Sequence, residues 1–127
     1  MKPFDEYSHF FARIREKKPD AVFAWDDPSD SAGGDIAVTA AVVARSTYAS
    51  ENWLIVVTTD HGGIGRGHAG QSQEERTIFM IASGGSVRAG ETVSPGPGHT
   101  AVPPTVMKHL GLSIDPEWGW ESAPFGL

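Results

Sequence analysis

Apolar residues along the chain fall into short blocks separated by polar and glycine-rich stretches. Phe4, Tyr7, Phe10, Phe11 and Ile14 recur at helical spacing, which predicts an amphipathic helix over residues 5–18. Lys17 and Lys18 suit its C-terminus and Pro19 stops it. Ala21-Val22-Phe23-Ala24-Trp25 reads as a short buried strand, followed by an acidic loop with Asp26, Asp27 and Asp30. Asp35 is the predicted N-cap of a helix from Ile36 to about Thr47. Ala37, Val38, Ala40, Ala41, Val42, Val43 and Ala44 make that helix apolar almost all round, so it is expected to be buried.

Trp53-Leu54-Ile55-Val56-Val57-Thr58-Thr59 is the clearest strand. It is a continuous β-branched run rather than an alternating one, which predicts a parallel strand covered on both faces. Glycines punctuate the loop from Gly62 to Gly70, and Thr77-Ile78-Phe79-Met80-Ile81-Ala82 predicts a third strand. Residues 84–100 form a Gly/Pro-rich connection. Pro104 suits the first turn of a last helix carrying Val106, Met107 and Leu110, with Gly111 as its stop. Trp118, Trp120 and Phe125 in the tail are expected to pack on the core or on a partner. The resulting expectation is one α/β domain over 1–127, a compact three-layer or two-layer sandwich around a mainly parallel sheet of about three or more strands.

Composition narrows the function classes. With 127 residues, 39% hydrophobic and 20% charged, the chain can bury a core of moderate size. Lys plus Arg number 10 against 16 Asp plus Glu, a net charge of −6, which argues against nucleic acid or an anionic membrane as a partner. There is no cysteine, which removes disulfides, thiolate metal sites and cysteine nucleophiles. No apolar run approaches a bilayer span. Met1-Lys2-Pro3-Phe4-Asp5-Glu6 lacks the apolar stretch of a signal peptide, so a cytoplasmic chain is the default expectation.

The chemistry-bearing group is Thr58-Thr59-Asp60-His61-Gly62-Gly63, at the end of the strongest strand. Ligands of parallel α/β sheets bind there. A carboxylate beside an imidazole can bind a divalent cation. His68 follows seven residues after His61 across a glycine-rich loop and can return to the same place, and Asp30 leaves the end of the first strand. Oxygen and nitrogen donors without sulfur favour Zn²⁺ or Mn²⁺ over Ca²⁺ or Mg²⁺. Gly65-Arg66-Gly67-His68-Ala69-Gly70 matches a dinucleotide-loop pattern, but no helix of useful length can open there before the next strand. Ser72 near His68 lacks the Gly-x-Ser-x-Gly elbow of a hydrolase triad. Thr58 and Thr59 read as strand and turn hydroxyls, His99 as turn or surface, and His9 and His109 as structural.

The stretch from Glu51 to Gly63, with Gly67-His68-Ala69-Gly70-Gln71-Ser72, resembles the alkaline phosphatase superfamily, best in its type I phosphodiesterase/nucleotide pyrophosphatase and sulfatase-like branches. Lys18 to Phe23, Pro104 to Gly111 and Asp115 to Trp118 extend the resemblance. It implies that Asp60, His61, His68 and Asp30 are metal ligands. The family's Asp-x-x-Gly-His segment reads Asp30-Ser31-Ala32-Gly33-Gly34 here, with glycine in place of the histidine, so fewer ions than in the full family site are expected. The family's nucleophile lies in an N-terminal half with no counterpart in this chain. The resemblance thus implies a truncated metal-dependent phosphoric- or sulfuric-ester hydrolase-like domain, acting on a small anionic ester if it is active. The alternative expectation is a non-catalytic metal- or small-molecule-binding module, or one that forms homo-oligomers through apolar surface.

Overall fold

The computed structural model describes residues 34–127 apart from Ala69, and in the first helix side chains from Thr39 onward. The expected helix over 5–18, the expected strand over 21–25 and the loop with Asp26, Asp27 and Asp30 lie outside the described residues.

Helix α1 spans Gly34–Val43, so Asp35 sits inside its first turn rather than at the N-cap. A 3-10 turn follows at Tyr48–Ser50. The expectation of burial is not met by its described side chains: Ala40 and Ala41 are exposed, and Val43 is 48% exposed. An apolar helix composition states a need for cover and does not supply the covering surface.

Strand β1 runs Leu54–Thr58 and strand β2 runs Met80–Gly84. They pair antiparallel, with Val56 opposite Ala82 and Val57 opposite Ile81. The mainly parallel sandwich expected from the sequence is therefore wrong: the described sheet has two strands, and they are antiparallel. The reason lies in the connection. A parallel pair needs a crossover, usually a helix packed on the sheet. Between β1 and β2 the only helix among the described residues is α2, Gln73–Arg76, a single turn. The glycine-rich segment around it brings the chain back alongside β1 as a wide hairpin. A continuous apolar run fixes burial preference, not strand direction.

The two faces of this hairpin differ. Val57 and Ile81 share a face and are 38% and 57% exposed. Leu54, Val56 and Ala82 lie on the other face and are half-buried. A two-stranded sheet is marginal in water unless something packs on it. Here helix α3, Val102–His109, and the C-terminal tail supply that cover. Met107 is fully buried and packs with Val106, Leu110, Leu112, Ile114, Trp118 and Trp120. Phe125 is buried as well, so the tail aromatics pack on the core.

Gly111 ends α3 as the sequence predicts, with φ +67°. The Leu112 N–H donates to the Met107 carbonyl at 2.9 Å and the Gly111 N–H to the Lys108 carbonyl at 3.0 Å, the bonding pattern of a Schellman cap. The Leu112 side chain packs on Met107, the apolar contact that accompanies such caps. The tail then returns to the sheet, where the Arg88 N–H donates to the Gly126 carbonyl at 3.0 Å. Among the described residues, no helix is long and apolar enough to cross a membrane.

Candidate metal centre

Asp60 and His61 lie just past β1, after Thr59. Their placement depends on Gly62, whose N–H donates to the Glu75 carbonyl at 2.8 Å. A Cβ on Gly62 would collide with the backbone carbonyls of Glu74 and Thr77. Only glycine lets the strand end lie this close to α2. Thr58 closes the hairpin from the other side: its hydroxyl donates to the Phe79 carbonyl at 3.0 Å. This is the strand-end role expected for it.

His68 is brought back by a tight turn. Ile64 and Gly67 exchange both backbone hydrogen bonds, at 3.0 and 2.9 Å, around Gly65 and Arg66. Gly65 takes a positive φ of 60° there. The turn stacks the His68 ring on the His61 ring, with centroids 4.3 Å apart and an interplanar angle of 20°. The expectation that His68 returns toward His61 is met in position. The loop that does it is a hydrogen-bonded turn rather than a free tether.

Asp60, His61 and His68 line one open cleft of about 490 Å³. Glu75, Arg76 and Ile78 also line it, as does His99 from the 3-10 turn that precedes helix α3. His99 lies in the 3-10 turn His99–Ala101 and is exposed, as its reading as turn or surface expects, but that reading did not place it on the cleft. Its sequence neighbours, Pro and Gly, carry no periodicity that would reveal where the loop leads. Asp30 lies outside the described residues.

The loop between His68 and α2 is held by a capping box. Ser72 Oγ accepts from the Glu75 N–H at 3.2 Å, and the Glu75 carboxylate accepts from the Ser72 N–H at 3.3 Å and the Gly70 N–H at 2.8 Å. The Gly70 N–H, then the Ser72 hydroxyl and N–H, with a smaller contribution from His68, hold the Glu75 carboxyl below its ordinary range. Ser72-x-x-Glu75 is a recognisable sequence signal for this box. Because its oxygen caps α2, Ser72 is committed to structure, not poised as a nucleophile.

The electronic state of His61 follows from one contact. Its Nδ1 lies 2.7 Å from the Gly62 carbonyl, which can only accept. Nδ1 therefore carries the proton, and in the neutral ring Nε2 presents its lone pair. That Nε2 lies 3.6 Å from Asp60 Oδ1. Two donors each about 2.0–2.1 Å from one tetrahedral ion stand about 3.3–3.4 Å apart. The Asp60–His61 pair is thus close to ligand spacing, and its tautomer suits coordination. Asp60 is 77% exposed and His61 46% exposed, so both side chains can adjust. Among the described residues, no three His, Asp or Glu side chains are already gathered as a metal-binding group. The donor types suit a zinc- or manganese-like cation; Asp60 and His61 are the nearest pair, and His68 and His99 line the same cleft.

His109 has a different task. Its Nε2 donates to the Asn52 carbonyl at 3.0 Å, tying the end of α3 to the chain just before β1, while its buried Nδ1 has no partner among the described residues. It is structural, as expected. No protein-family model matches the chain, and no curated protein or solved structure is significantly similar to it.

Proposed function

We propose that the domain binds one divalent cation at the end of β1 and presents it to a small phosphoric or sulfuric ester. The observation that carries this reading is that Asp60, His61, His68 and His99 all line one cleft, with Asp60 and His61 adjacent in it. A bound cation supplies Lewis-acid charge for the ester's phosphoryl or sulfuryl oxygen. The chain's own residues do the rest. Gly62 fixes the His61 tautomer through its carbonyl and seats the strand end on α2. The Ile64–Gly67 turn holds His68 against His61. The sequence resemblance to the alkaline phosphatase superfamily supports the same reading, with Asp60, His61, His68 and Asp30 as its ligands.

Two hydroxyls near the site are occupied: Thr58 bonds to the Phe79 carbonyl and Ser72 caps α2. We therefore expect ester hydrolysis to be slow, metal-dependent and without a covalent intermediate on these residues. Elemental analysis after dialysis against Zn²⁺ or Mn²⁺, with aryl phosphate and aryl sulfate hydrolysis, tests this. The expected result is about one ion per chain, with uptake and turnover lost in Asp60→Ala and His61→Ala. No uptake, or variants equal to the wild type, overturns it. Uptake without turnover of either ester identifies the alternative, a non-catalytic metal-binding module.

A further inference from the structure

We infer that Arg76 is the oxyanion-binding residue of this cleft, taking the phosphoryl or sulfuryl group of the ester that the cation site serves. The inference rests on that reading of the site and adds the group that recognises the substrate's charge.

Three observations carry it. First, Arg76 ends α2 and lines the cleft together with Asp60, His61 and His68. Second, its charge is uncommitted among the described residues. Arg45 is paired with Glu51 at 3.1 Å and Arg88 with Glu91 at 3.4 Å, whereas among the described residues Arg76 has no carboxylate partner. Third, the adjacent carboxylate is engaged elsewhere. Glu75 spends both its oxygens on the Gly70 and Ser72 N–H groups. A planar guanidinium with unused donors, beside a carboxylate already satisfied, matches the two-oxygen edge of a tetrahedral oxyanion. Arg66 offers the contrast: it sits at the tip of the Ile64–Gly67 turn and does not line the cleft.

The test uses inorganic phosphate and inorganic sulfate as probes, titrated calorimetrically into zinc-loaded and zinc-free full-length protein. Wild type, Arg76→Ala, Arg76→Lys and Arg66→Ala are compared, with thermal unfolding as the check on folding. Arg76→Ala is expected to weaken oxyanion binding about tenfold or more. Arg76→Lys should lose less, because it keeps the charge but not the fork, and Arg66→Ala should match the wild type. Zinc stoichiometry should be unchanged in all of them. Whichever of phosphate and sulfate binds more tightly assigns the substrate group. Equal affinity in wild type and Arg76→Ala, or an equal loss in Arg66→Ala, overturns the inference. Should the wild type take up no zinc, the cation-site reading fails separately. The zinc-free titration then decides Arg76: Arg76-dependent binding upholds it, and its absence overturns it.

Discussion

Gly62 shows how one missing side chain sets a site. Its hydrogen bond to the Glu75 carbonyl and its contact with the Glu74 and Thr77 carbonyls bind the end of β1 to α2. Gly62→Ala forces that backbone apart and should cost about 1–3 kcal/mol, the usual penalty for overpacking. Urea denaturation checks it, and an unchanged midpoint contradicts the close approach described here. Glu75 makes a prediction with a sign. Its carboxyl is held below its ordinary range by the Gly70 N–H first and by Ser72 next. Its contribution is therefore fully present above about pH 4.3, the unperturbed glutamate value, and is lost as pH falls through the lowered folded value. Urea midpoints measured across this acid window should fall more steeply for the wild type than for Glu75→Gln. Identical slopes would contradict the capping-box account. That Asp60, His61 and His68 share one cleft was legible at this scale, because residue type and spacing announce it. His99 reads correctly as an exposed turn residue, but its place on the cleft was not legible, because it is set by how the segment before α3 docks and not by its neighbours in the chain.

Among the elements, α3 is the most completely determined. Its proline start, its apolar positions and its glycine stop could all be read in advance, and its Schellman cap realises them. What the pattern hid was Thr105. Fully buried, its hydroxyl donates to the Ala101 carbonyl at 2.6 Å and accepts from the Phe125 N–H at 3.0 Å, stitching the tail to the helix. Thr105→Val keeps the volume but strands the Phe125 N–H, and should cost about 1–3 kcal/mol in chemical denaturation. Thr105→Ser keeps the oxygen and should cost less than Thr105→Val. The reverse order would place the residue's value in packing alone. The β1 and β2 segments were also legible, to within a few residues. Their direction was not. The unbroken β-branched run of Ile55, Val56 and Val57 is compatible with either orientation, and the one-turn α2 decides for antiparallel pairing.

For the molecule as a whole, the fold explains why the site exists where it does. His109 ties the end of α3 to the residue just before Trp53 and β1, and His99 at the other end of the same segment reaches the cleft beyond β1. The segment from His99 to His109 thus links the cleft past the end of β1 to the chain before its start, with His99 held by the 3-10 turn that precedes α3. Histidines near the cleft and histidines away from it can be told apart in one measurement. Zinc titrated into the full-length protein, followed by the side-chain NMR signals of the histidines, should shift His61, His68 and His99 together and saturate at about one ion per chain, leaving His109 unmoved. No shift in the three cleft histidines, or a shift of His109 in parallel with them, would contradict a cation site at the end of β1.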